Sequence, residues 1–371
     1  MTHSISNEER IAWLRLIRSE NVGPITFYRL LEQFGTARVA LDALPDLAKR
    51  GGRKKAIKIT SRSDALLEME TLEEIGASLI VRDEATYPPL LSQVEDAPPV
   101  LSLLGHAHLL KKKSVAIVGA RNASINGCKF AAQLGRDLGE GGLLVVSGLA
   151  RGVDGAAHAG ALDTGTVGIQ GGGVDVIYPK ENAALYKEMC ERGCVIAESP
   201  VGTQPQARHF PRRNRIISGM TRAIVVVEAS PRSGSLITAR MALEQGRDVF
   251  AVPGSPLDPR SKGANGLIRD GAILVENAQD IFRELNSAQN TPLKEVKIQY
   301  NQKVSMERPS EPELVGVRTK IVESLSPTPV FVDEIIRQCQ ISASVVQTVL
   351  LELELAGLLE RQPGNMVSLI V

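Results

Sequence analysis

The sequence predicts an α/β protein built on an extended Rossmann-like, doubly wound and mostly parallel sheet. Three observations predict this fold. Between residues 76 and 285, short β-branched runs alternate with amphipathic stretches, a pattern typical of parallel strands joined by crossover helices. Helical patterns without such strands flank this region on both sides. The length of 371 residues also exceeds what one core usually holds, so several domains are expected.

The N-terminal region, residues 1–75, is predicted to be a helical domain. Apolar residues recur at helical spacing through 8–48, and Val22-Gly23-Pro24 marks a tight turn before a helix that Gly35 closes. Both a SAM-like or helix-hairpin-helix unit, which grips DNA backbone, and a plain helical adaptor fit this pattern. The run 49–62 holds seven basic residues and no acidic one. It is either a solvated turn or a phosphate-facing patch.

The central region, residues 76–285, carries the predicted sheet. Residues 76–110 contain two Pro-Pro pairs and are expected to lead into it. The strands are predicted at Val115–Gly119, Leu143–Val146, Val167–Gln170, Val195–Ala197, Ala223–Glu228, Val249–Val252 and Ile273–Val275. The helices between them are predicted at Ser124–Leu138, Asn182–Arg192 and Ser235–Gln245.

The C-terminal region combines a linker with a small domain. Residues 286–314 are polar and proline-containing without periodicity, which predicts a linker. Residues 315–371 show three helical patterns followed by two short strand patterns, as in a winged-helix domain. The helices are predicted at Arg318–Leu325, Val332–Gln338 and Ser342–Leu355, and the wing at Gly357–Arg361 and Met366–Val371.

The first clear strand runs into Gly119-Ala120-Arg121 and then a helix, which predicts an anion site at the carboxyl edge of the sheet. A nicotinamide site would need G-x-G-x-x-G here and an acid after the second strand. That second strand instead ends in a loop that carries Gly148 and Arg151. Phosphate is therefore the expected ligand, and no cofactor is predicted.

A dense basic run strengthens the case for a polyanion. Residues 208–215 contain four arginines, Phe210 and Asn214, and no acid, just ahead of a predicted helix. The whole chain has a net charge of only +1, so the concentration of charge is local. Bound phosphates would offset the mutual repulsion of these arginines, and a base could stack on Phe210 or His209. Ser233-Gly234 begins a further loop that can offer backbone amides.

Catalytic and metal-binding patterns are poorly represented. Neither the five histidines nor the four cysteines have the spacing of a metal or redox site, and no nucleophile elbow occurs. Asp154 and His158 lie four residues apart, which favours a pair that braces the Arg151 loop over an acid–base couple. No long apolar run or leader is present, so a cytoplasmic protein that does not cross a membrane is expected.

Many of these segments, in order, resemble the DNA-processing protein A (DprA/Smf) family over about residues 90–280. They include residues 147–154, Tyr178-Pro179, 210–217 and 249–254. One departure is Gln170-Gly171-Gly172-Gly173, where the family has a hydrophobic-Gly-Cys-Gly pattern. The resemblance assigns phosphate and base binding to Gly119, Arg121, Gly148, Arg151, Lys180, Arg213, Asn214 and Arg215, with Phe210, Arg212, Ser233 and Gly234 beside them.

The resemblance implies a non-enzymatic protein that binds single-stranded DNA, dimerises, and helps load the RecA recombinase during natural transformation. One alternative is a nucleotide-processing enzyme of the lysine-decarboxylase-like phosphoribohydrolase type, with Glu198 or Glu228 as the acid. Beside so many arginines, such an acid is expected to orient guanidinium groups instead.

A sequence-specific transcription factor is the other alternative, and the charge of the tail argues against it. Residues 315–371 carry four basic and six acidic side chains, and the presumptive recognition helix Ser342–Leu355 has two glutamates and no lysine or arginine. A major-groove reader needs basic and amide side chains there. The tail is therefore predicted to contact protein or to assist DNA binding only weakly.

Overall fold

The computed structural model describes residues 5–287, 311–362 and 364–370, and these form two compact units. One unit comprises residues 5–6 and the described residues from 66 to 287, and the other joins Asn7–Ala65 to the described part of Pro292–Val371. Most of the predicted linker, residues 288–310, lies outside the described residues.

The N-terminal helices are α1 (Asn7–Arg18), α2 (Pro24–Phe34), α3 (Ala37–Arg50) and α4 (Arg62–Glu74). Gly23 precedes α2, Pro24 begins it and Gly35 ends it, as the turn residues predict. The basic run 49–62 is partly neutralised, because Arg53 pairs with Glu20 and Arg62 pairs with Glu8. These pairs favour the solvated-turn interpretation of that run.

The sheet unit contains nine strands in the order β1-β2-β6-β5-β4-β3-β7-β8-β9. All seven predicted strands are present, and β1 and β2 form an antiparallel edge from the segment that was expected to lead into the sheet. The strands are β1 (Ser78–Val81), β2 (Val100–Gly105), β3 (Ser114–Gly119), β4 (Leu144–Ser147), β5 (Thr166–Gln170), β6 (Cys194–Ala197), β7 (Ala223–Val227), β8 (Asp248–Ala251) and β9 (Ile273–Leu274).

Helices cover both faces of this sheet, because its central strands are apolar on both sides. They are α5 (Ile125–Glu140), α6 (Val153–Ala161), α7 (Ala183–Arg192), α8 (His209–Gly219), α9 (Gly234–Glu244), α10 (Lys262–Arg269) and α11 (Ala278–Ser287). The chain runs from β3 through β4, β5 and β6 on one side and then returns to β7 on the other side of β3. The carboxyl ends of β3, β4 and β5 therefore lie next to each other, beside this switch point.

The C-terminal part has the three predicted helices and the two predicted wing strands, with one additional short strand, but its first helix begins at Glu311, inside the predicted linker 286–314. Its elements are α12 (Glu311–Ser324), β10 (Val330–Phe331), α13 (Val332–Cys339), α14 (Ala343–Leu355), β11 (Leu359–Gln362) and β12 (Met366–Leu369). Helix α14, the presumptive recognition helix, packs against α3, where a Cβ on Gly51 would lie 2.0 Å from the Glu352 carbonyl oxygen. Asn21 also donates a hydrogen bond to the Leu355 carbonyl at 3.2 Å.

The acids of α14 are held in pairs within this unit. Glu352 is fully buried and pairs with Arg318, and Glu354 pairs with Arg361 at 3.0 Å. Helix α14 therefore holds its acidic side chains in internal ion pairs and packs its backbone against α3. This arrangement explains in physical terms why α14 lacks the basic side chains of a DNA reader.

Candidate single-stranded DNA site

The loop after β3 carries Arg121 to the carboxyl edge of the sheet. Gly119 ends the strand where no side chain fits, because a Cβ would lie 1.9 Å from the Val227 carbonyl oxygen. Ser124 then caps α5 by accepting a hydrogen bond from the Gly127 amide at 2.9 Å. The exposed Arg121 side chain places its guanidinium carbon 4.9 Å from the centre of the Phe210 ring, in a cation–π contact.

The loop after β4 is fixed by two polar side chains. The buried Asp154 carboxylate accepts hydrogen bonds from the amides of Gly148 at 3.1 Å and Ala150 at 3.4 Å. Asn182 donates to the carbonyls of Leu149 and Ala150 at 2.9 and 3.1 Å. With its backbone held from both sides, the loop presents the exposed Arg151 side chain to solvent.

All of the basic run except Arg208 lies within α8 and not ahead of a helix, which corrects the sequence prediction. Because successive residues of a helix are about 100° apart, the arginines point in different directions. Phe210 and Arg213, three residues apart, lie on the same face of α8, and the guanidinium carbon of Arg213 lies 5.8 Å from the Phe210 ring centre. Arg212 is exposed to solvent.

Arg215 makes different contacts from Arg213. It is buried, pairs with Glu198, and donates a hydrogen bond to the backbone carbonyl of Asp96. The sequence prediction that a strand-ending glutamate orients an arginine is confirmed for Glu198. Glu228 instead accepts hydrogen bonds from the amide and hydroxyl of Ser124 at the start of α5.

Arg213 lies directly above the backbone of Gly148. A Cβ on Gly148 would lie 1.2 Å from Nη1 of Arg213, so only glycine permits this approach. The Arg213 side chain is 6% exposed, and its Nη1 lies 4.0 Å from Oδ2 of Asp154. Burial lowers the pKa of Arg213 to about 10, against the opposing effect of Asp154. The guanidinium is therefore still charged at neutral pH.

Two further groups beneath the site have shifted pKa values. Burial raises the pKa of Asp154, while the charge of Arg213 and the hydrogen bonds from the Gly148 and Ala150 amides oppose the shift. Burial, assisted by the charge of Arg213, lowers the pKa of His158 to about 3, so its imidazole is neutral. Nδ1 of His158 lies 2.8 Å from the hydroxyl of Thr166 on β5. Asp154 thus braces the loop as predicted, whereas His158 contacts the neighbouring strand.

These loops and α8 enclose a cavity of about 500 Å³ at the carboxyl ends of β3, β4 and β5. Four of its side chains are basic and one, Glu181, is acidic and lies 3.5 Å from Arg151. The Tyr178 and Phe210 ring centres are 5.7 Å apart. The residues that line it are Arg121, Gly148, Ala150, Arg151, Gln170, Gly171, Tyr178, Pro179, Lys180, Glu181, Phe210 and Arg213.

The structure brings half of the predicted site residues into this cavity. Arg121, Gly148, Arg151, Lys180, Phe210 and Arg213 line it together. The other six lie outside its lining: Gly119 packs against β7, Arg212 is exposed, Asn214 is half-buried, Arg215 pairs with Glu198, and Ser233 and Gly234 lie at the start of α9.

Sequence reasoning did not assign a binding role to Gln170 or Glu181, nor a loop-fixing role to Asn182. Lys180, Glu181 and Asn182 directly follow the Tyr178-Pro179 motif, so that motif was the available signal. Gln170 ends β5 and was visible only as a departure from the family pattern. The glycines after it are needed for close packing, since a Cβ on Gly172 would lie 2.5 Å from the Thr203 carbonyl oxygen.

Within the described ranges, no cluster of three or more His, Cys, Asp or Glu side chains could hold a metal ion. Across the same residues, no helix has the length and apolar character that crossing a bilayer demands.

Comparison with known proteins gives a consistent assignment. A relative from Synechocystis, described as protein Smf, is 32% identical over 97% of this chain and 98% of its own length. The crystal structure of DNA processing protein A from Streptococcus pneumoniae is 36% identical, with a TM-score of 0.62 over 76% of this chain and 99% of the other.

A Helicobacter pylori DNA processing protein A structure, whose description concerns its single-stranded DNA binding mode, is 28% identical, with a TM-score of 0.53 over 57% of this chain and 96% of the other. Residues 7–71 match the DprA-like N-terminal HHH domain and residues 306–365 the DprA winged helix domain. Residues 78–286, more than half of the chain, match DNA recombination-mediator protein A, and the chain therefore belongs to the DNA recombination-mediator protein A (DprA/Smf) family.

Proposed function

We propose that the cavity at the carboxyl edge binds a segment of single-stranded DNA, with the cations on the phosphates and the aromatic rings against a base. The observation that carries this proposal is the lining itself. Arg121, Arg151, Lys180 and Arg213 surround Phe210, and the one carboxylate among them already faces Arg151. Basic grooves with an aromatic stacking face are the usual means of binding single strands with little sequence preference.

The test is a charge reversal at Arg121, which is exposed and whose substitution leaves the core intact. Arg121→Glu is expected to weaken binding of a fluorescent oligo-dT strand about a hundredfold at moderate salt, because one charge-assisted contact is lost and repulsion is added. The parent protein is expected to show a steep dependence of affinity on salt.

Arg136→Glu is the matched control. Arg136 is also exposed and lies on α5, but about 16 Å along that helix from its start at the cavity end. Its reversal makes the same change in net charge and should leave affinity nearly unchanged. Equal affinity losses in the two variants would refute the site assignment, because they would reflect net charge alone.

We infer that binding occurs without catalysis. The two acids considered for a phosphoribohydrolase are engaged elsewhere, Glu198 with Arg215 and Glu228 with Ser124, and neither lines the cavity. The purified protein is expected to release no base from nucleoside monophosphates. Hydrolysis that Glu228→Gln abolishes would establish the enzymatic alternative.

From membership of the family we further propose that the protein is a cytoplasmic homodimer that protects incoming strands and delivers them to the RecA recombinase during transformation. The proposed domains are residues 1–75, 76–285 and 315–371, with 286–314 as a linker into whose two ends α11 and α12 extend. Light scattering on the purified protein tests the dimer. RecA filament assembly on a strand coated with single-strand-binding protein tests delivery, which is expected to speed assembly in the parent and not in Arg121→Glu.

A further inference from the structure

The loop between β4 and α6, residues 148–152, has a strained backbone on both sides of Arg151. Leu149 is buried and has a φ of 56°, in the left-handed region that a bulky side chain disfavours. Gly152 has a φ of 74°, and only glycine fits there, because a Cβ would lie 2.3 Å from the Ala120 carbonyl oxygen. A backbone of this kind keeps its conformation only where the surrounding structure fixes it.

Asn182 fixes this loop from a neighbouring segment. Its Nδ2 donates hydrogen bonds to the carbonyl of Leu149, the residue in the left-handed conformation, at 2.9 Å and to that of Ala150 at 3.1 Å. Asn182 is half-buried and lies outside the cavity lining. It ends a short 3₁₀ turn that begins with Lys180, one of the cations of the cavity. The two hydrogen bonds therefore connect the loop that carries Arg151 to the turn that carries Lys180.

Resting on the proposed binding of single-stranded DNA, we propose that Asn182 is a positioning residue that holds Arg151 where it contacts a phosphate beside Lys180. Arg151 lies two residues after Leu149, so a change in the Leu149 backbone redirects the arginine. The ion pair between Arg151 and Glu181, at 3.5 Å between two exposed side chains, is too weak to order the arginine by itself. A loop that is fixed before the strand arrives reduces the conformational entropy that binding costs.

The experiment measures oligo-dT binding by Asn182→Ala and by Asn182→Leu, which removes the donor but keeps most of the side-chain volume. Both variants are expected to bind about three- to tenfold more weakly, because the hydrogen bonds that fix the loop are lost. The slope of log affinity against log salt should become shallower by about 0.7, the change for one phosphate contact. Asn21→Ala is the control. Asn21 also donates to a backbone carbonyl, that of Leu355 at 3.2 Å, but it lies in the other unit and should leave affinity unchanged.

A double-mutant cycle with Arg151→Gln separates positioning of the arginine from a general loss of packing. If Asn182 acts through Arg151, Asn182→Ala costs less than about twofold in affinity once Arg151→Gln is present. Equal fold losses in the two backgrounds overturn the proposal, and so does parental affinity or an unchanged salt slope in Asn182 variants that thermal unfolding shows to be folded. A parent protein that does not bind oligo-dT refutes the proposed function itself.

Discussion

Gly148→Ala tests the close approach of Arg213 to the β4 loop, on which the geometry of the site depends. The added Cβ would lie 1.2 Å from Nη1 of Arg213 and 2.8 Å from Oδ2 of Asp154, so the guanidinium must leave its position. If Arg213 contacts a phosphate, the loss of one charge-assisted hydrogen bond costs about 1.5–3 kcal/mol, or roughly a 10- to 150-fold loss of affinity. The slope of log affinity against log salt should also become shallower by about 0.7.

The assay is a salt series of anisotropy titrations with labelled oligo-dT. Gly266→Ala on α10 is the control, because a Cβ there meets nothing within 4 Å and the backbone needs no positive φ. Thermal unfolding of both variants separates a local shift from a folding defect, since crowding in a packed site costs about 1–3 kcal/mol. Parental affinity and an unchanged salt slope in a folded Gly148→Ala protein would show that Arg213 does not contact the strand.

Two further predictions concern acid stability and the tail. The pKa of His158 is about 3 in the folded protein, against an ordinary value of 6.5. Acidification therefore protonates the imidazole in the unfolded chain first. The stability that the neutral imidazole contributes is fully present above pH 6.5 and is lost as the pH falls towards 3. The parent should lose about 2 kcal/mol more unfolding free energy than His158→Gln between pH 7 and pH 5 in urea denaturation, and parallel losses would contradict this. Deletion of 311–371 should leave oligo-dT affinity within about twofold, since the cavity lies wholly within the sheet unit, and a tenfold loss would assign the tail a direct role in binding.

The sheet was predictable because its strands are short, apolar on both faces and separated by helical patterns. Each predicted strand differs from the observed one by at most one residue at either end. The packing of α14 on α3 was not predictable, because more than 290 residues separate Gly51 from Glu352 and nothing local pairs them. The two glutamates of α14, without any lysine or arginine, argued against a DNA-reading helix. They did not identify α3 as the element that packs against it.

The basic run shows why composition locates a site better than it assigns the residues in it. Four arginines in eight residues predicted a polyanion ligand, and the run does contribute to the cavity. Once the run is helical, however, side-chain direction is set by position: Arg213 turns to the β4 loop, Arg215 to Glu198, and Arg212 to solvent. The number of charges does not show that Arg213 is available for a phosphate whereas Arg215 forms an ion pair. That distinction depends on where α8 begins, at His209. Residue-level assignment therefore depended on the helix register, whereas the class of ligand did not.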